Sequence, residues 1–174
     1  MAKKITIGLI LFIGLVLIIP VFLKPTFHIE RSIIIEKPAS EIITTVSDYN
    51  TWKNWSPWAL NDPAQVVTVS GKPGTVGHVQ TWEGQINGKG KQTIASVTPN
   101  KEVVFNLEFI DPNPMVSVAR MNFEDFGSGT KLTWSNDGDS EYPVGRYFGL
   151  FLDGMIGPDF EKGLTNLKNL LEKK

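Results

Sequence analysis

The stretch Glu102-Val103-Val104-Phe105-Asn106-Leu107-Glu108-Phe109-Ile110 is followed by Asp111-Pro112-Asn113-Pro114 and then by a second run from Met115 to Glu124. These residues decide the fold. Val103, Phe105, Leu107 and Phe109 alternate with Glu102, Val104, Asn106 and Glu108, the period of two that marks a strand with one buried face. Met121 and Phe123 share a face of the following strand. The Asp-Pro-Asn-Pro segment breaks the first run, because proline fixes φ and donates no ladder hydrogen bond. Gly127-Ser128-Gly129 then separates a third strand over residues 130–136, where Leu132 and Trp134 share a face.

The pattern extends upstream. Residues 66–70 read as a strand, Gly71-Lys72-Pro73-Gly74 as a turn, and residues 77–84 as the next strand. Asn87-Gly88 is a hairpin signal, since both residues tolerate positive φ. The return strand covers residues 89–98 and turns at Pro99-Asn100. An earlier strand covers residues 27–36. After Lys37-Pro38-Ala39-Ser40 a short helix runs over residues 39–46, with Ile42, Ile43 and Val46 as its apolar side. A second short helix lies in Thr51-Trp52-Lys53-Asn54-Trp55-Ser56-Pro57-Trp58 and ends before Pro57. The C-terminal segment from Pro143 is helical. Phe148, Phe151, Leu152 and Met155 lie on one side, and Phe160, Leu164, Leu167 and Leu171 continue the stripe. Gly157-Pro158 is expected to kink or restart it.

The order is strand, two short helices, six strands and a long helix: an α+β domain in which a meandering antiparallel sheet buries one face under helix. With Arg31-Ser32-Ile33-Ile34-Ile35-Glu36-Lys37-Pro38, Trp52-Lys53-Asn54-Trp55-Ser56-Pro57, Gly74-Thr75-Val76-Gly77, Gly129-Thr130-Lys131-Leu132-Thr133-Trp134 and Phe160-Glu161-Lys162-Gly163-Leu164 in this order, the chain resembles the START/Bet v 1-like, or SRPBCC, superfamily. More narrowly it is similar to its polyketide cyclase/dehydrase-type group. The resemblance spans about Phe27 to Leu171. It implies a helix-grip fold, with the sheet wrapped around the long C-terminal helix and an apolar cavity between them that binds lipids, polyketides or other hydrophobic ligands.

Alternation then nominates a cavity lining: Trp55, Trp58, His78, Trp82, Phe105, Leu107, Phe109, Met121, Trp134, Tyr147, Phe151 and Met155. Each of these is also open to plain core packing, because apolar periodicity reports burial and not a void. Trp52, Trp55 and Trp58 place three indoles in seven residues. They suit a core edge or pocket mouth better than membrane contact.

The search for catalysis returns little. The chain has two histidines, His28 and His78, and no cysteine, which excludes disulfides, thiolate chemistry and cysteine-held zinc. No carboxylate or nucleophile pairs with His78 by sequence. Asp153 interrupts an apolar helix face, either at its edge or as a buried acid with a raised pKa. Arg120 and Glu108 are expected to pair across strands. Gly71-Lys72-Pro73-Gly74-Thr75 lacks the order of a phosphate loop, and Asp137, Asp139 and Glu141 lack the bidentate Glu of a calcium loop. No metal site and no cofactor is indicated. With 17 basic and 18 acidic residues interspersed, nothing marks a nucleic-acid partner.

The remaining feature is an uncharged apolar run from Ile5 to Leu23, diluted only by Thr6, Gly8, Gly14 and Pro20. At ~1.5 Å per residue it spans nearly 30 Å, the thickness of a bilayer's hydrocarbon core. It exceeds a secretory h-region and lacks a small-x-small cleavage site, so it reads as a retained anchor. Residues 1–26 are therefore expected to be anchor and tether, and residues 27–174 one domain. Lys3 and Lys4 favour a cytoplasmic N-terminus and an extracytoplasmic domain. The expected function is a single-pass, membrane-anchored domain that binds a hydrophobic small molecule or lipid. The alternatives are a cyclase/dehydrase-like enzyme, with His78, Asp153 or Tyr147 moving protons, or an envelope interaction module. Oligomeric state is left open.

Overall fold

The computed structural model describes residues 2–173. Helix α1 (Ala2–Ile18) passes into a 3-10 turn, Ile19–Phe22, at Pro20. Lys3–Phe22 is long and apolar enough to cross a membrane, with mean hydropathy 3.0, and 6% of it is buried in the protein. Strand β1 (Thr26–Ile35) leads to α2 (Ala39–Val46), a 3-10 turn over Tyr49–Asn54 and α3 (Pro57–Asn61). Then come β2 (Val66–Ser70), β3 (Val79–Gly84), β4 (Gly88–Thr98), β5 (Glu102–Asp111), β6 (Met115–Phe126) and β7 (Gly129–Asp139). Helices α4 (Val144–Gly149) and α5 (Leu152–Glu172) close the chain.

All seven strands form one sheet, in the order β1-β7-β6-β5-β4-β3-β2, with every neighbour antiparallel. Pairing β1 with β7 brings the first strand of the domain beside the last. The long helix α5 lies across the inner face and packs on β1. This is the helix-grip arrangement, α+β, with the apolar helix preceding it.

Three local expectations change. The second short helix is a 3-10 turn, Tyr49–Asn54, that ends before Pro57 as expected, but Pro57 also begins a further helix, α3, because a first-turn proline forfeits only an N–H that has no helical partner anyway. The C-terminal helix breaks at Leu150-Phe151, while α5 runs through Pro158. The buried stripe on both sides of Pro158 holds the helix to the sheet and outweighs the hydrogen bond the proline forfeits. In the β3–β4 hairpin only Gly88 takes positive φ, at 64°; Asn87 does not. The Asn87 side chain instead donates to the Trp58 carbonyl (2.8 Å) and to Gln65 (3.0 Å).

The inner face of the sheet has two ends. At one end Ile35, Ile94, Val103, Phe105, Met121, Phe123 and Leu132 cluster with Ile42, Val46, Leu164 and Leu167 into a solid core. The other end is fixed by register: Thr26 pairs with Asp139, Phe109 with Met115, Gly84 with Gly88 and Val66 with Glu83. Here the inner face carries Gly90, Gln92, Ala119 and Asn136 as well as aromatics, and the packing opens. The apolar N-terminal helix joins β1 at this same end.

Candidate functional site

The open end of the sheet holds a hollow of about 500 Å³. This lies within the range of small-molecule sites. Its floor comes from alternate residues of the strands: Val67 and Val69 of β2, Gln80 and Trp82 of β3, Gln92 of β4, Leu107 and Phe109 of β5, Met115 and Ala119 of β6, Trp134 and Asn136 of β7, and Phe27 of β1. Its roof is Leu152, Ile156 and Phe160 of α5, one helical stripe at a spacing of four. The remaining wall is the 3-10 turn and α3, through Tyr49, Trp52, Ser56, Trp58 and Ala59. Lys53 and Asn50 lie at its exposed rim.

Aromatic rings fix the walls. Trp134 stacks on Phe160 with centroids 4.4 Å apart, and Trp58 meets both edge-on. Trp82 packs edge-on against Phe109. Gly90 makes room for the Trp82 indole, since a Cβ there would collide with it. Asp62, buried at the end of α3, accepts from the Ile86 and Asn87 backbone N–H groups at 3.0 and 3.3 Å. It thereby ties the β3–β4 hairpin to the wall.

Polar groups enter this lining sparingly. The Tyr49 hydroxyl and Asn136 Oδ1 are buried and have no hydrogen-bond partner among the described residues. Burial pushes the Tyr49 phenol well above its ordinary value, so it stays protonated and able to donate. Gln80 donates to Gln92 at 3.3 Å. An unpaired buried polar atom costs about 1–3 kcal/mol, and Trp55 Nε1 behind the wall is unpaired as well.

Of the residues nominated from sequence, Trp58, Trp82, Leu107, Phe109 and Trp134 line the hollow. Trp55, His78, Phe105 and Met121 do not, because they lie in the solid core. Tyr147, Phe151 and Met155 also do not, because helix phase turns them away from the sheet. Phe151 and Met155 are exposed, and the Tyr147 hydroxyl donates to the Val16 carbonyl at 3.0 Å. Their place is taken by Leu152, Ile156 and Phe160. Tyr49, Trp52, Ala119 and Asn136 were not nominated. Continuing the alternation from Trp134 reaches Asn136 and from Met121 reaches Ala119, but a small or polar residue gives no apolar signal.

The three proton-transfer candidates are scattered. His78 is fully buried beneath the hollow: its Nε2 accepts from the Tyr49 N–H (3.2 Å), and its Nδ1 donates to the Ser70 carbonyl (2.9 Å). Both ring nitrogens are thus engaged in holding the 3-10 turn to the sheet. Asp153 is an exposed carboxylate. A hydrogen bond from Arg31 lowers its pKa, in contrast to the buried acid with a raised pKa considered from sequence. Arg120 pairs with Asp137 at 2.8 Å, and Glu108 with Lys91 at 2.8 Å. Register sets Arg120 opposite Val104 and Glu108 opposite Val116, too far apart to pair with each other. Among the described residues no group of three or more His, Asp or Glu side chains is placed to hold a metal ion.

The described fold is shared with solved proteins of low identity. CV1439 from Chromobacterium violaceum matches over 86% of this chain and 99% of its own, with TM-score 0.60 at 15% identity. A Thermobifida fusca protein solved by NMR gives TM-score 0.62 at 19% identity, covering 83% of this chain and 95% of its own. Ms6760 from Mycobacterium smegmatis gives 0.57 at 20%, covering 83% and 90%. No curated protein matches the chain. The family described as polyketide cyclase/dehydrase and lipid transport matches residues 26–172, from the first residue of β1 to the last of α5. The chain belongs to that family.

Proposed function

We propose that this chain is a single-pass, membrane-anchored binding domain that holds a hydrophobic small molecule or lipid in the hollow between the sheet and α5. One observation carries the reading: an apolar hollow of about 500 Å³, framed by packed aromatic rings, with Gln80, Gln92 and Asn136 as sparse polar residues in its lining. A void of this size forfeits packing that evolution could fill with side chains. The hollow suits an apolar body carrying one hydrogen-bonding group. Residues 1–26 serve as span and tether in this reading, and residues 27–174 as the binding domain. Lys3 and Lys4 support a cytoplasmic N-terminus, with the domain on the other side. Tethering keeps the domain at a high effective concentration beside membrane ligands.

The test is direct. Full-length protein is purified in detergent, stripped of lipid and titrated with defined lipids and lipid extracts, with bound species identified by mass spectrometry. Saturable uptake of about one molecule per chain is expected. A stripped protein that takes up nothing, while remaining folded, ends the reading.

A further inference from the structure

We infer that the corner formed by α4 and the first turns of α5 is a second membrane contact, a foot that lies in the lipid interface beside the span. The inference rests on the anchored reading above and adds a surface to it.

The first observation is a contrast along α4 and α5. Val144 and Phe148 of α4 and Phe151 and Met155 at the start of α5, on either side of the break, all turn outward from the α4–α5 corner. They face away from the sheet. Phe148, Phe151 and Met155 are 57%, 63% and 61% exposed, and Val144 and Leu150 are exposed too. Further along α5 the outward positions become Pro158, Glu161, Lys162, Thr165 and Asn169. The inward stripe stays apolar throughout, from Leu152 to Leu167. An amphipathic helix against a sheet needs only one apolar face. The corner has two, and the outer one stops after Met155. A contiguous exposed apolar surface of this kind marks a contact.

The second observation says what covers it. Three side chains of this corner reach backbone carbonyls of the apolar N-terminal helix. The Tyr147 hydroxyl donates to Val16 at 3.0 Å, the Tyr142 hydroxyl to Leu17 at 2.7 Å and Arg146 Nη1 to Pro20 at 2.8 Å. The Val16 carbonyl is the one that Pro20, lacking an N–H, leaves without its helical partner. In lipid such an orphan is costly, and Tyr147 supplies the missing donor. Val16 lies six residues before Phe22, roughly 9 Å along a helix at ~1.5 Å per residue. The corner therefore meets the span inside its apolar stretch, at the depth where interfacial helices bury their apolar faces. Tyr142, Tyr147 and Arg146 are side chains that suit this level, with apolar bodies and polar tips.

Leu152 and Ile156, on the opposite side of the foot, roof the hollow. The foot thus sets the open end of the sheet on the bilayer, where a lipid can exchange with the hollow under cover of α5.

The chain has no cysteine, so single-cysteine variants of the full-length protein can be labelled without background. Phe148→Cys, Phe151→Cys and Met155→Cys report on the foot. Val76→Cys and Phe126→Cys report on exposed positions at the far end of the sheet, and Leu15→Cys on the span. Each carries an environment-sensitive fluorophore and is reconstituted into phosphatidylcholine vesicles with or without spin-labelled phosphatidylcholine. The foot labels are expected to shift to the blue and lose most of their fluorescence to the quencher. Labels at 76 and 126 should keep theirs. If the foot labels behave like position 126 while Leu15 is quenched, the foot is overturned and the anchor stands. If Leu15 itself escapes quenching, the anchored reading fails and takes the foot with it.

Discussion

Arg31 of β1 fills a notch that Gly157 leaves in α5. A Cβ at Gly157 would collide with the guanidinium, which bonds to Asp153 through Nη1 and Nη2 (2.8 and 3.1 Å) and to Glu161 through Nε (2.7 Å). One arginine thus bridges two acids eight residues apart, and the glycine lies midway between them. The atoms in the notch are the movable end of Arg31, so Gly157→Ala is expected to gain less than alanine's helix propensity alone would give. Gly154→Ala is the control. Nothing lies within 4 Å of its added Cβ, so it should stabilise by roughly 0.5–1 kcal/mol. Circular dichroism melts of both variants check this, and equal gains would show that the notch is dispensable.

Acid should loosen the same joint. A hydrogen bond from Arg31 holds the Asp153 carboxyl below its ordinary value, and hydrogen bonds from Lys168 and the Glu36 N–H hold Glu172 down likewise. Folded values below unfolded ones mean that the native state binds protons less readily. Its advantage is complete above the unfolded carboxyl range of about 4 and is lost as pH falls through the lower native values. The melting temperature should be flat between about pH 7 and about pH 5 and fall below about pH 4. Asp153→Asn should lower it at neutral pH and flatten the acid limb. Asp153 is largely solvated and Glu172 partly so, and the effect is modest. An unchanged acid limb in Asp153→Asn would remove Asp153 from this account.

Removing the orphan polar atoms should not harm the empty protein. Tyr49→Phe deletes a buried hydroxyl without a partner, and Asn136→Leu replaces an amide whose Oδ1 is unpaired by an apolar group of similar size. Each is expected to leave unfolding free energy unchanged or raise it by about 1 kcal/mol, since an unsatisfied buried group costs about that much or more. Affinity for a ligand that bonds these atoms should fall. Denaturant titration beside ligand titration separates the two effects. A destabilised Tyr49→Phe would mean that the hydroxyl is satisfied in the empty protein.

Filling the hollow should block binding without unfolding. Ala119 sits on the β6 floor, and Ala119→Phe puts a ring into the space an occupant would use. Binding is expected to weaken roughly tenfold or more, a loss of about 1.4 kcal/mol or greater. Phe105→Ala, in the solid end, should instead cost about 3–5 kcal/mol of stability. Undiminished uptake by Ala119→Phe would place the ligand elsewhere.

The hollow shows where a local pattern stops informing. Val103, Phe105, Leu107 and Phe109 are equivalent by alternation, and all four do point inward. Phe105 ends in solid packing and Phe109 at a void, because α2 and the C-terminal half of α5 cover one end of the sheet while the short aromatic helices bridge the other. The C-terminal helix posed a sharper ambiguity. Residues 148–160 carry two apolar stripes, Phe148-Phe151-Met155 and Leu152-Ile156-Phe160. Periodicity cannot say which one meets the sheet.

Strand alternation, turn residues and their order were enough to specify seven strands, a meandering antiparallel sheet and a helix over one face, because each depends on neighbours in sequence; the helix-grip arrangement followed from the family resemblance. The rotation of α5, the partners of Arg31 and Arg120, and the burial of His78 were decided only when the sheet closed β1 onto β7. Those outcomes depend on which distant surfaces meet, and strand register and helix phase set that together.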